Sequence, residues 1–158
     1  MHDLDPSLME LFSIKSTNTS DQARKKSGLD QLYPYMTTDC HLFTPYGFSL
    51  NGIFKHRYFT VHITPQREGS YASFETNVRE KNYTKVMEEV LSIFKPGRFT
   101  LVHMTNVNDR QLALNNGAMD VIPGYRVTER NINGFECGYA VTFMNLEKQE
   151  GKTGIYVG

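Results

Sequence analysis

The sequence predicts an α+β fold, with an antiparallel β-sheet that carries helices packed on one face. Two observations support this class. Apolar and polar residues alternate in three successive segments between Tyr46 and Asn77, which is the period-two pattern of strands with one apolar face. The segment Asn82–Lys95 instead repeats apolar residues at three- and four-residue spacing, which is typical of an amphipathic helix. A length of 158 residues predicts a single domain over positions 1–158.

Two short helices are predicted before the strands. Asp5 followed by Pro6 is a helix start, with a capping carboxylate and a proline at the first helical position, and this helix should end at about Ser13. A second start at Thr19 opens a helix that ends near Gly28, because glycine readily ends a helix.

The alternating segments are predicted to be strands at Tyr46–Gly52, Tyr58–Thr64 and Tyr71–Asn77. If they pair as an antiparallel meander, then Ser49, His62 and Glu75 share one face of the sheet, because side chains alternate along a strand. That face is too polar for a dry core, so either solvent or a second sheet should cover it.

A helix and further strands should follow. Pro96 and Gly97 end the helix at Asn82–Lys95. The later elements are strands at Arg98–Asn106, Met119–Thr128 and Gly138–Leu146, a turn of helix at Leu112–Leu114 and a turn at Asn131–Gly134. The charged, glycine-containing segment 147–158 is predicted to be a flexible tail.

Composition and charge argue against several classes of protein. Seventeen basic and seventeen acidic residues cancel, so no overall field favours nucleic acid or an anionic membrane. No apolar run approaches the roughly 20 residues of a membrane helix, and the first residues lack the features of a signal peptide. Cys40 and Cys137 are too few for a disulfide framework, although one bridge stays open, and this predicts a cytoplasmic protein. Neither the cysteines nor the histidines have the spacing of metal ligands, so no metal site is predicted.

Several separate motifs resemble one enzyme family, in order and at similar spacing. They are Leu4–Pro6, Leu42–Gly52, His62–Pro65, Ser70–Asn77 and Phe94–Gly97. Over most of its length the sequence resembles the carboxy-terminal half of eukaryotic S-adenosylmethionine decarboxylase. The resemblance implies a four-layer αββα sandwich of two similar halves, of which this chain would be one.

Ser49 and His62 are the candidate catalytic residues. A histidine among threonines on a strand is by itself typical of a structural residue, whereas near Ser49 it can act as a general base. The absence of a Gly-x-Ser-x-Gly elbow disfavours an independent Ser-His hydrolase. The resemblance implies that both residues assist self-cleavage of the proenzyme, which converts a serine of the other half into a covalent pyruvoyl cofactor. That group takes up electrons when carbon dioxide leaves the substrate, as pyridoxal phosphate would.

Phe43, Gln66 and Glu68 are the candidate residues for binding S-adenosylmethionine. The sequence alone favours core packing for Phe43 and an exposed loop position for Glu68. The resemblance implies that Phe43 stacks on adenine. Gln66 stands where the family usually has a glutamate that accepts both ribose hydroxyls. Because an amide offers one neutral acceptor oxygen, this departure predicts weaker binding, with Glu68 as a substitute.

Glu75 is the candidate activator-binding residue. Taken alone, it is expected to form a salt bridge within the sheet. The resemblance matches it to a buried acid near the site where some members bind putrescine, a diamine that requires carboxylates. Most other acids of that site would precede Met1, which argues against putrescine regulation.

The family's Glu-Ser-Ser cleavage motif is absent, since no Ser-Ser pair occurs in the sequence. The isolated chain is therefore predicted to be inactive, and three situations stay open. The first is an incompletely recorded part of a decarboxylase that serves spermidine and spermine synthesis. The second is a subunit completed by another chain. The third is a non-catalytic paralogue that regulates an active decarboxylase. A homodimer is also open, and an α+β domain without a ligand is the remaining alternative.

Overall fold

The computed structural model describes residues 1–13, 18–66, 68–80, 83–108 and 122–149. The helices are α1 (Pro6–Leu11), α2 (Ser20–Ser27) and α3 (Tyr83–Phe94), with a 3-10 turn at Leu29–Gln31. The strands are β1 (Thr37–Leu42), β2 (Phe48–Phe54), β3 (Arg57–Thr64), β4 (Tyr71–Thr76), β5 (Arg98–Asn106), β6 (Tyr125–Phe135) and β7 (Tyr139–Lys148).

The predicted helix starts are confirmed by their capping contacts. Asp5 caps α1 by accepting a hydrogen bond from the Ser7 N–H at 2.9 Å. Thr19 forms a capping box with Gln22, whose backbone N–H it accepts at 3.2 Å. Gly28 ends α2 with φ +82°, a conformation that glycine adopts without strain. No helix in the described ranges is long and apolar enough to cross a membrane.

The first sheet contains four antiparallel strands in the order β1-β2-β3-β4. The three predicted strands correspond to β2, β3 and β4, although β2 begins at Phe48 rather than Tyr46 and extends to Phe54. The sequence does not predict β1. Its half-buried positions include Thr38 and Cys40, so the segment lacks the apolar alternation that identifies the other strands.

The second sheet has the order β5-β7-β6 and corrects one prediction. The turn expected at Asn131–Gly134 is wrong, because these residues continue β6, where Asn131 pairs with Phe143. The chain turns at Glu136–Gly138 instead. Nearly every residue of β6 is exposed, so this edge strand has no buried face to mark it in the sequence, and its Asn-Gly pair resembles a turn.

Other downstream predictions are modified at their boundaries. The strand predicted from Met119 is observed from Tyr125, and residues 109–121, with the expected helical turn at Leu112–Leu114, lie outside the described ranges. Residues 147 and 148 belong to β7 rather than to a tail, and residues 150–158 are likewise outside the described ranges.

Met1 and His2 join the two sheets. His2 forms antiparallel bridges with Tyr71 on β4 and with Arg98 on β5. Ala72 donates its N–H to the Met1 carbonyl at 3.0 Å, while His2 donates its N–H to the Arg98 carbonyl at 2.9 Å. Since this segment is antiparallel to both neighbours, β4 and β5 run parallel to each other on either side of it.

The helices pack on one face of these sheets, which confirms the predicted α+β class. One buried cluster joins α1 and α2 to β2 and β3, with the Phe12 and Phe48 rings 4.8 Å apart. A second cluster packs Leu91 of α3 against Met144 and Leu146 of β7. Helix α3 contributes to both clusters and therefore spans the junction between the sheets.

Candidate functional site

The face of the sheets that points away from the helices is called the open face. Alternate residues of β2 and β3, such as Leu50 and Val61, are buried against the helices, so the residues between them point outward. On β2 to β5 the open face consists of Ser49, Asn51, Ile53, Tyr58, Thr60, His62, Thr64, Tyr71, Ser73, Glu75, Thr100, Val102 and Met104, all exposed or half-exposed.

Ser49 and His62 lie directly opposite each other on neighbouring strands of this face. The same row contains His41 on β1, opposite Ser49, and Ser73 on β4, opposite His62. Directly opposed residues have Cβ atoms about 4.5–5.5 Å apart, so the hydroxyl of Ser49 and the imidazole of His62 are neighbours on this face. Within the described ranges, no side-chain hydrogen bond or ion pair engages Ser49 or His62.

Glu75 lies on the open face, as expected, but is exposed rather than buried. It is opposite Thr60, which is opposite Asn51, so two strand spacings place Glu75 about 10 Å across the sheet from Asn51 and one row away from Ser49 on the same face. The salt bridge expected from the sequence alone is not formed with any described residue. Glu75 is therefore a solvent-facing carboxylate at one side of the candidate site.

Phe43 lies in the turn between β1 and β2 and is not a core residue. Its side chain is 50% exposed, and its ring packs edge-on against the ring of His41 with centroids 4.7 Å apart. Its backbone N–H donates to the Gly47 carbonyl at 2.9 Å, and Gly47 has φ +131°. The turn therefore presents the Phe43 ring at the end of the sheet, where His41 contacts the ring and half of the side chain is exposed to solvent.

Gln66 and Glu68 lie at this same end of the sheet, in the connection that follows β3. Both are exposed, whereas Pro65 between β3 and Gln66 is buried. Gly47 links the two parts of the site, since a Cβ at that position would lie 3.5 Å from Phe43 and 3.6 Å from the Ile63 carbonyl. A ligand at this end can therefore contact an aromatic ring on one side and amide or carboxylate oxygens on the other.

Sequence reasoning missed His41 and Ser73 as members of the site. His41 was overlooked because β1 was not predicted, and a strand at Thr37–Leu42 would have placed it opposite Ser49. The alternation within Tyr71–Asn77 places Ser73 on the same side of its strand as Glu75, and the pairing of β3 with β4 places it opposite His62. The signal was thus strand register rather than any motif.

The two cysteines form no disulfide. Cys40 is half-buried on β1 and Cys137 is exposed in the turn before β7, and both are free. Among the described residues, no group of three or more His, Cys, Asp or Glu side chains is placed to hold a metal ion.

Comparison with known proteins assigns the family. The sequence profile described as adenosylmethionine decarboxylase matches residues 1–147. The chain belongs to the adenosylmethionine decarboxylase family. It is 46% identical over 107 residues to the S-adenosylmethionine decarboxylase proenzyme of Drosophila melanogaster, which covers 67% of this chain and 31% of that protein. The proenzyme of Dictyostelium discoideum is 35% identical over 153 residues, with 96% of this chain and 40% of that protein covered.

A solved member of the decarboxylase family has the same fold. The AdoMetDC-delta26 monomer of Trypanosoma brucei superposes with a TM-score of 0.81 at 26% identity, over 95% of this chain and 63% of that chain. This similarity confirms the fold class that the sequence predicts. The chain spans less than half the length of the two proenzymes above and corresponds to only a part of each.

Proposed function

We propose that this chain is the carboxy-terminal part of a pyruvoyl-dependent S-adenosylmethionine decarboxylase that serves spermidine and spermine biosynthesis. The observation that carries the proposal is the row on the open face, where Ser49 lies opposite His62 and neither has a side-chain hydrogen bond or ion pair with another residue that the structure describes. An exposed aromatic ring, Phe43, lies at the adjacent end of the sheet. A second polypeptide segment that covers this face brings the reacting serine to these residues.

The side chains of Ser49 and His62 fit a role beside a pyruvoyl group. When bound, that group supplies an electron sink for loss of carbon dioxide. The His62 imidazole has one nitrogen that can donate and one that can accept a hydrogen bond, and the Ser49 hydroxyl can do both. Because both side chains are accessible on the same row, they are positioned to assist proenzyme processing without rearrangement of the sheet.

Substrate binding is assigned to the end of the sheet. The free surface of Phe43 stacks on the adenine ring of S-adenosylmethionine, an interaction that adds about 0.5–1.5 kcal/mol beyond area burial for an aromatic pair. Gln66 and Glu68 provide oxygen acceptors for the ribose hydroxyls. Glu75 provides at most one carboxylate of a site for a diamine such as putrescine, and the remaining acids of such a site would come from the polypeptide that completes the enzyme.

A non-catalytic regulatory paralogue is the second candidate, and Gln66 favours it. A neutral acceptor contributes about 0.5–1.5 kcal/mol where a charged one contributes about 1.5–3 kcal/mol. The replacement therefore weakens the interaction with ribose in a site that otherwise resembles the family pattern.

Mass spectrometry of the native protein separates the two candidates. A decarboxylase predicts a co-purifying or upstream segment whose first residue is a pyruvoyl group, and S-adenosylmethionine should raise the melting temperature. A regulatory paralogue predicts that the pyruvoyl-bearing partner is a separate, complete decarboxylase with its own copy of the motifs that this chain carries. Absence of any such partner, together with a melting temperature unmoved by S-adenosylmethionine, contradicts both candidates and favours a domain without this ligand.

A further inference from the structure

Phe43, the candidate residue for stacking on adenine, lies just beyond the end of its strand. The register of β1 with β2 ends at the pair Leu42–Phe48, so strand pairing does not orient the Phe43 side chain. The hydrogen bond from the Phe43 N–H to the Gly47 carbonyl fixes the backbone of the turn but not the ring. Because half of the side chain is exposed, the direction of the ring depends on the side chains beside it.

The imidazole of His41 contacts the Phe43 ring. The two ring centroids are 4.7 Å apart and the ring planes are inclined by 67°. Aromatic pairs favour such an edge-to-face arrangement at centroid distances of about 4.5–7 Å. His41 and Phe43 are two positions apart in the chain, and side chains at this spacing emerge on the same face of a strand. The contact therefore follows directly from the extended backbone at the end of β1.

His41 is itself held by the sheet. It pairs with Ser49, and the residues on either side of it, Cys40 and Leu42, pair with buried residues of β2. In the part of the chain that the structure describes, the His41 imidazole has no side-chain hydrogen bond or ion pair that would draw it away from Phe43. The register of the sheet therefore reaches the Phe43 ring through His41.

We propose that His41 is a positioning residue for S-adenosylmethionine, because its ring holds the Phe43 ring in the orientation that stacks on adenine. This inference rests on the proposed function, in which Phe43 binds that base. His41 acts through Phe43 and does not need to touch the ligand. A side chain that is already oriented loses less rotamer freedom when the ligand binds, so removal of the His41 ring weakens binding of the nucleoside.

Two substitutions at position 41 separate the ring contact from hydrogen bonding by the imidazole. Phenylalanine keeps a flat ring that can meet Phe43 edge to face, but it has no nitrogen atoms. Glutamine keeps a hydrogen-bond donor and an acceptor on a side chain of similar length, but it has no ring. A positioning role through the ring predicts that His41→Phe preserves ligand binding and that His41→Gln does not.

Titration of the 158-residue protein with S-adenosylmethionine and with adenosine tests the proposal, with the NMR signals of the Phe43 ring as the reporter. Adenosine carries the base and the ribose but not the methionine part. His41→Ala should weaken the binding of both ligands by about three- to tenfold, which corresponds to the cost of immobilising one side chain. Thr37→Ala is the matched control, since Thr37 is exposed on the same side of β1 at its other end, and it should leave both affinities unchanged.

The outcomes distinguish failure of this inference from failure of the proposed function. Unchanged affinities in His41→Ala, or recovery with His41→Gln but not with His41→Phe, overturn the positioning role and leave the proposed function standing. Weaker binding of S-adenosylmethionine alone also overturns it, because His41 would then act on the methionine part. If the unsubstituted protein binds neither ligand at Phe43, the adenine-binding assignment fails and this inference fails with it. The melting temperature of each variant without ligand should stay near that of the unsubstituted protein, since His41 is exposed.

Discussion

Gly52 fixes the strand register on which the candidate site depends, because it lies opposite Phe59 between β2 and β3. A Cβ at position 52 would overlap Cε1 of the Phe59 ring and lie 2.6 Å from Cδ1 and 2.9 Å from Cζ. Phe59 is 1% exposed and packs against Tyr33 at 5.2 Å, so its ring has little room to move. Overpacking of a buried site costs about 1–3 kcal/mol, and overlap with three ring atoms places Gly52→Ala at about 2–3 kcal/mol.

Urea denaturation and thermal unfolding measure this cost. The expected loss corresponds to a fall in melting temperature of roughly 4–12 °C for a domain of this size. Gly134→Ala is the matched control, since a Cβ on this β6 glycine meets nothing within 4 Å, and it should change the free energy of unfolding by less than about 0.5 kcal/mol. Gly52→Ala combined with Phe59→Leu should cost less than the sum of the single changes by about 0.5–3 kcal/mol. Wild-type stability of Gly52→Ala, or strict additivity in the double variant, would refute the reasoning.

Three further predictions concern the cap of helix α1 and two of the candidate ligand-binding residues. Hydrogen bonds from the hydroxyl and N–H of Ser7 lower the pKa of Asp5 to about 2. The ionised Asp5 carboxylate therefore stabilises the fold fully above pH about 3.9, the ordinary pKa of an aspartate, and this stabilisation is lost as the pH falls towards 2. Asp5→Ala should cost about 1 kcal/mol in urea denaturation at neutral pH, and Asp5→Ser should restore the cap without this acid dependence; an unchanged pH profile in Asp5→Ser would contradict the assignment. Phe43→Ala should abolish the rise in melting temperature on addition of S-adenosylmethionine, whereas Tyr46→Ala, which removes an equally exposed ring, should preserve it; equal responses would argue against stacking. Gln66→Glu should tighten binding by about 1 kcal/mol, or roughly fivefold in calorimetry, and a weaker complex would exclude this residue from the ribose site.

The elements that the sequence predicts well are those in which one face is buried. Phe48 and Leu50 alternate with Ser49 because the helices cover one side of β2 only, and this contrast is visible in the residues themselves. The edge strands β1 and β6 lack this alternation of buried and exposed residues. The sequence therefore does not predict β1, and it predicts a turn within β6 where the strand continues. Register adds a second limit, because the opposition of Ser49 and His62 follows from pairing between strands and can only be assumed from a meander.

The open face carries two chemically different areas, and their difference constrains what covers it. Over β2 to β4 the face is largely polar and holds Ser49, His62 and Glu75. Over β5 it exposes large apolar side chains, with Val102 60% and Met104 65% accessible. A face evolved for water would not place these two residues side by side on alternate positions, since clustered apolar exposure marks interaction surfaces. A covering polypeptide can therefore be sealed by apolar packing over β5 while the polar area beside it remains available for proton transfer and ligand binding.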